Sequence, residues 1–269
     1  MPLEFIVFYV FAFIFGSVFG SFACCQAWRI YQNKSSKKLG TRSVCMSCHK
    51  KLKWYDNIPV ISWLTLRGKC RYCQAKIGKA EIISEILLGL IFLGIAFHFS
   101  SSFLYDGGLA DFFSAMTTDF LLVERFLILL IAAVIYWVLF VYDAKWGELP
   151  VLLMLINVAL AIIYQFANSA NWLQVGIAVA FLAGIYYILY FFSKERLVGG
   201  GDWILCLSIA IFLGNFNLAL VELFLANFSA SIYAVPLAIR KKTNKISFGP
   251  FLIISLFLIL LIPLKFSIF

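Results

Sequence analysis

The chain has 269 residues, 63% of them hydrophobic, 18% aromatic and 13% charged, with a mean hydropathy of +0.96 and a net charge of +9. A water-soluble domain of this length needs far more charge to cover its surface, so lipid must take the place of a polar exterior. In hydrocarbon every backbone N–H and C=O has to pair internally, which leaves helices or a closed barrel. No long alternating run suggests a barrel, and the expected fold class is all-α, a polytopic membrane helix bundle.

A crossing takes about 20 apolar residues. In chain order the apolar runs predict eight spans, near 4–27, 82–99, 121–142, 149–167, 174–193, 203–214, 217–239 and 248–265, the sixth of them short. The first run has no basic flank before it, carries Glu4 and is followed by Arg29 and not by a small-residue cleavage site. It therefore reads as a retained helix. The chain divides into a first membrane helix (1–28), a polar module (29–80) and a helix bundle (81–269).

Charge sets the orientation. The segment 29–79 holds 13 Lys and Arg, namely Arg29, Lys34, Lys37, Lys38, Arg42, Lys50, Lys51, Lys53, Arg67, Lys69, Arg71, Lys76 and Lys79. If it is cytoplasmic, alternation through the spans puts Lys145, Lys194, Arg196, Arg240, Lys241, Lys242 and Lys245 on the same side. Only Arg125 and Lys265 remain, and the opposite loop 100–120 carries Asp106, Asp111 and Asp119 with no basic residue. This asymmetry follows the positive-inside rule, so the N-terminus is expected outside, in a plasma membrane. Basic charge gathered in this way points to a membrane surface and not to nucleic acid. The sequence carries no signal of oligomeric state.

The polar module is too small to bury much of a core and needs a staple. Cys45, Cys48, Cys70 and Cys73 form a C-x2-C-x21-C-x2-C pattern. Two such knuckles bring four thiolates to one ion, which suits a closed, structural Zn²⁺ site. Disulfides are the rival, although a cytoplasmic loop is kept reduced. Cys45-Met-Ser-Cys48-His49 also fits the c-type haem attachment pattern, but haem would leave Cys70 and Cys73 unexplained. Cys24, Cys25 and Cys206 lie in apolar runs and read as small packing residues.

Acids in or near a membrane are costly there and usually functional. Asp143 ends the third span and Asp202 follows Gly199-Gly200-Gly201 at the start of the sixth. By the topology above, both lie at the cytoplasmic boundary. Singly, Asp202 could be a helix N-cap and Asp143 a solvated acid beside Lys145. Together they can share one proton, one acting as base while its protonated partner supports a developing oxyanion. The three glycines allow a backbone or substrate to approach closely. A phosphate loop is excluded, since no strand precedes the glycines, no Lys-Ser/Thr follows, and Asp202 would repel phosphate.

At these residues the chain resembles the type IV prepilin peptidases. Gly199-Gly200-Gly201-Asp202 is similar to their G-x-G-D motif, and Asp143 followed seven residues later by Pro150 is similar to their first aspartate motif. Gly20-Ser21-Phe22, Arg29, both cysteine knuckles, Trp54 through Trp63, Arg67 through Arg71, and Ser247-Phe248-Gly249-Pro250-Phe251 continue the likeness in family order. The loop resembles most closely that of competence-type enzymes of Gram-positive bacteria. The resemblance implies cleavage of the leader of type IV prepilins or pseudopilins by Asp143 and Asp202, within membrane lipid. It further implies N-methylation of the new terminus with S-adenosylmethionine. Glu85 stands where the family has a glutamate after the second knuckle, and the resemblance implies a place in methyl transfer for it. Three positions depart from the family pattern: Val151 after Pro150, Cys24 where Asn is usual, and Ala80-Glu81-Ile82 where Arg-Tyr-Pro usually stands. The last two lie in the half tied to methyl transfer. Other readings are a peptidase without methyl transfer, a proton-coupled carrier built on the paired acids, or a scaffold with a zinc-bearing docking loop.

Overall fold

The computed structural model describes residues 3–34, 43–45, 47–101, 103, 108–193, 199–239 and 247–261. Lys37, Lys38, Arg42, Asp106, Lys194, Arg196, Arg240, Lys241, Lys242, Lys245, Lys265 and the predicted end of the last span (262–265) lie outside them. Among the described residues there are ten α-helices, one 3-10 turn (Trp54–Asn57) and no strand beyond isolated bridges. In order they are α1 (Leu3–Lys34), α2 (Ile61–Thr65), α3 (Lys79–Ser100), α4 (Leu109–Thr118), α5 (Phe120–Trp146), α6 (Val151–Ala167), α7 (Trp172–Ser193), α8 (Asp202–Leu213), α9 (Phe216–Ile239) and α10 (Gly249–Leu261).

The all-helical expectation holds, and the protein is a multi-pass membrane protein. Among the described residues five helices, α1, α3, α5, α7 and α9, have the length and composition to cross a bilayer. The other three predicted spans correspond to shorter apolar helices, α6, α8 and α10. The loop read as 100–120 contains α4, which is capped at its start by Asp111 accepting from the Gly108 N–H at 2.8 Å.

The chain forms two compact units, Met1–Phe112 and Phe113–Phe269. In the first, α1 packs along α3 through small residues. A Cβ on Gly16 would lie 2.7 Å from the Leu88 carbonyl oxygen, and one on Gly20 would lie 2.6 Å from that of Ser84. Lipid tails give no hydrophobic drive to associate, so backbone approach of this kind is what holds such a pair together. The Ser84 hydroxyl donates to the Gly20 carbonyl at 3.0 Å, and Tyr9 and Ser100 share a hydroxyl bond of 2.9 Å at the other end.

In the second unit, α8 is the innermost element, with nine of its twelve residues buried against α6, α7, α9 and α10. Polar ties set the register. Tyr136 of α5 bonds Ser208 of α8 at 2.8 Å, and the Gln165 amide of α6 donates to the carbonyls of Ile211 and Phe212. Ser255 of α10 donates to Glu222 of α9 at 2.7 Å. Helix α8 stops at Gly214, whose φ of +61° is a left-handed cap that a side chain would strain.

Candidate active site and cysteine cluster

Asp143 sits one turn before the end of α5. The helix terminates at Gly147 (φ +66°), whose N–H returns to the Asp143 carbonyl at 2.8 Å. That same carbonyl accepts from the Ser247 hydroxyl at 2.9 Å. Gly249, the first residue of α10, lies against the carboxyl group: a Cβ there would be 2.7 Å from Asp143 Oδ2. Asp143 is 4% exposed and Asp202 8%, so neither is the solvated surface acid that a lone boundary aspartate suggests.

Asp202 opens α8, with Gly201 rather than Asp202 in the capping position. Its Oδ2 accepts from the Gly199 N–H at 3.0 Å, and its own N–H donates to the Gly199 carbonyl at 3.1 Å, a tight turn folded over the carboxyl group. A Cβ on Gly199 would lie 3.3 Å from that oxygen, and one on Gly201 would meet the Leu149 side chain at 2.9 Å. Leu149 belongs to the short connection between α5 and α6, so the glycine run lets the start of α8 close on the segment that follows Asp143. The Asp202 carboxyl group lies near enough to act electrostatically on that of Asp143. Two buried acids in this relation are suited to sharing one proton.

Ser247 and Gly249 are the residues whose contact with Asp143 sequence reasoning left unread. Their only signal was membership in the Ser247–Phe251 motif. Glu222 was also missed; it is fully buried, and a lone acid inside the apolar run of α9 was its signal.

The four module cysteines come together, with all four Sγ atoms within 4.8 Å of one another. The two knuckles repeat one backbone plan. Cys45 N–H bonds the Lys50 carbonyl and His49 N–H the Cys45 carbonyl; Cys70 N–H bonds that of Ala75 and Gln74 N–H that of Cys70. The residue four past each leading cysteine takes a left-handed conformation, His49 at φ +55° and Gln74 at +58°. Short bridges, Val44 with Lys51 and Lys69 with Lys76, close both. The Cys45 and Cys73 sulfurs are 3.8 Å apart. That is far beyond a disulfide bond, yet it matches the edge of about 3.8 Å in a tetrahedron of Zn–S bonds near 2.3 Å. The Cys48 amide beside Cys45 holds its thiol down to about 6, while desolvation and hydrogen bonds with Cys70, Cys48 and Cys45 push Cys73 up to about 11, so without metal the cluster shares a thiolate and does not carry four. A four-sulfur donor set of this spacing can hold zinc.

Glu85 lies in the first unit, as the cysteine knuckles do. Its Oε2 accepts from the Val60 N–H at 2.7 Å, with the Ser21 hydroxyl also against the carboxyl group. The module's second knuckle is tied back by Arg71, which bonds Asp56 at 2.7 Å and covers the Tyr55 ring at 5.0 Å.

With this geometry in view, comparison with known proteins is specific. Residues 14–99 match the bacterial peptidase A24 N-terminal domain, and residues 128–239 match the type IV leader peptidase family. A prepilin leader peptidase/N-methyltransferase from Vibrio cholerae is 32% identical over 178 residues, covering 64% of this chain and 62% of the relative. Proteins of the same name from Dichelobacter nodosus and Neisseria gonorrhoeae are 26% and 28% identical, covering 85% and 79% of this chain and 77% and 68% of the relatives. The chain thus spans 62% to 77% of these relatives' own lengths, and less than two thirds of the Vibrio cholerae protein. No solved structure matches. Both family matches fall in the order that the two aspartates and the cysteine knuckles take along the sequence, and the chain belongs to the type IV prepilin leader peptidase family.

Proposed function

We propose that this protein is an integral-membrane aspartic peptidase that removes the leader of type IV prepilins or pseudopilins, with Asp143 and Asp202 as its catalytic pair at the cytoplasmic face. The observation that carries the reading is the pair of buried carboxyl groups from α5 and α8, lying in the stretch that matches the leader peptidase family. One carboxylate takes a proton from water as the water oxygen bonds to the scissile carbonyl carbon. Its protonated partner gives a proton to the carbonyl oxygen, producing a neutral tetrahedral diol. Return of a proton to the peptide nitrogen then breaks the C–N bond, releasing a leader carboxylate and a free N-terminal amine. The Gly199 amide on Asp202 and the Gly249 contact with Asp143 hold both groups in place, as a proton relay requires. Gly199, Gly200 and Gly201 leave room for an extended substrate backbone.

Cys45, Cys48, Cys70 and Cys73 are assigned a structural zinc ion, which would staple the module of residues 29–80 and take no part in hydrolysis. The relatives' names add N-methyltransferase. S-adenosylmethionine would supply the methyl group, and Glu85 would serve that half of the protein by anchoring Val60. The positive-inside pattern supports an outside N-terminus.

The test is reconstitution in bilayers with a prepilin peptide, with and without S-adenosylmethionine, reading product masses. Asp143→Asn and Asp202→Asn should each lower cleavage by about 100-fold or more, the scale of general acid–base catalysis. Zinc content and helicity should be unchanged. Cleavage persisting in either variant overturns the assignment. A leader removed without gain of one methylene leaves the peptidase alone.

A further inference from the structure

We infer that the cysteine module does not float free above the membrane but is pressed into the leaflet on its side, with Ile61 and Leu64 of α2 set against phospholipid acyl chains and the surrounding lysines and arginines on anionic headgroups. Depth is fixed by Glu85. It lies four residues beyond Glu81, the nearest charged residue before it in α3, which is about 6 Å along the helix. The last charged residues before it in α3 are Lys79 and Glu81. On α1 the residue that packs at this level is Gly20, nine residues short of Arg29, or about 14 Å. The headgroup layer on each side of a bilayer is only about 5–8 Å thick. The Val60 N–H that donates to Glu85 at 2.7 Å is therefore at the inner edge of the headgroup layer.

The local backbone is built for such a dip. Pro59, Val60 and Ile61 form a γ-turn of the rare positive-φ form, with Val60 at φ +61° and the Ile61 N–H on the Pro59 carbonyl. A β-branched residue is strained there, and the Glu85 bond offsets that strain while giving the Val60 N–H a partner where water is scarce. Helix α2 follows at once. Ile61 and Leu64, three residues apart on one face, are 60% and 58% exposed. In water this face would be an apolar liability; at this depth it has a solvent.

Charge completes the fit. Lys50, Lys51, Lys53, Arg67, Lys69 and Lys76 are exposed, whereas the acid of the same described stretch, Asp56, is sequestered by Arg71. A surface so one-sided suits an anionic leaflet.

The experiment places the whole protein in nanodiscs that contain a phospholipid with a photoactivatable group on its acyl chain. Adducts are mapped by mass spectrometry, in anionic and in purely zwitterionic discs. Ile61 and Leu64 should be labelled to within about threefold of Ile83 and Leu90, exposed apolar residues of α3 that serve as an internal standard for lipid contact. Labelling should fall by several-fold in zwitterionic discs. Residues 58–66 labelled only by water-borne hydroxyl radicals would overturn the inference. So would acyl-chain labelling that a prepilin peptide displaces, since the face would then be a substrate surface.

Discussion

Gly249→Ala probes the proposed catalytic pair without touching either acid. The new methyl group would lie 2.7 Å from Asp143 Oδ2 and 3.4 Å from Cγ, where ordinary contact begins at 3.4 Å. The carboxyl group or the start of α10 must give way by 0.7 Å, the difference between the first and last of these distances. Ser247 ties α10's approach to the Asp143 carbonyl and Ser255 ties α10 to Glu222, so the helix resists sliding and most of the displacement falls on the acid. Misplacing a catalytic group by about 1 Å costs on the order of 100-fold in rate. The expected loss in kcat is therefore about 10- to 100-fold, or about 1.4–2.7 kcal/mol in the barrier. KM should change little, because the perturbation acts on the acid and not on peptide binding. Gly176→Ala, on a face of α7 with no atom within 4 Å, is the control and should leave kcat unchanged. Steady-state kinetics on a prepilin peptide in nanodiscs, with a thermal unfolding scan of each variant, decides the matter. A Gly249→Ala enzyme with unaltered kcat and melting temperature would refute the placement of Asp143 in the reaction.

Gly20→Val should separate α1 from α3, because its Cβ would be 2.6 Å from the Ser84 carbonyl oxygen and 2.7 Å from Glu85 Cα, neither of which can swing aside. Destabilisation of about 1–3 kcal/mol is expected, read as a lowered melting temperature. Tyr136→Phe removes the hydroxyl bond to Ser208, but Ser208 keeps its 2.8 Å bond to the Leu205 carbonyl. The loss in stability should be about 0.6 kcal/mol, measured by unfolding in mixed detergent. Cys70→Ser should weaken zinc binding by more than about 100-fold, beyond the usual effect of an outer-shell residue, checked by metal analysis. Acid should release the metal from the wild type, since binding needs thiolates. Binding needs all four thiolates and the metal-free Cys73 thiol stands at about 11, so protons compete for the site and retention should fall steadily as pH is lowered, seen with a colorimetric chelator.

Much of the fold was legible because the bilayer imposes its length scale on the sequence. The run predicted at 121–142 is α5, Phe120–Trp146, and the short sixth run at 203–214 is α8, Asp202–Leu213. A length rule cannot separate a crossing helix from a shorter apolar one, so α6 and α8 read as spans of the same kind as their neighbours. Helix α4 went unread for the opposite reason. Its ten residues are too few for a span window, and it is held by Phe112, which packs on nearby Phe103 and on Phe8, far away in sequence. The two aspartates were legible from their flanking glycines and proline. Ser247 and Gly249 were not, because their meaning is a contact made across 104 residues of chain.

The brevity of α8 has a consequence for the bilayer itself. Twelve residues span about 18 Å, against a hydrocarbon thickness of about 30 Å. Its sides are covered by α6, α7, α9 and α10, so lipid meets those neighbours and not α8 itself. Turnover should then depend on hydrophobic mismatch. Lengthening the lipid tails would strain the longer helices that pack on α8, and with them the turn that carries Asp202, so cells that remodel their acyl chains with temperature would retune this protein as they do so.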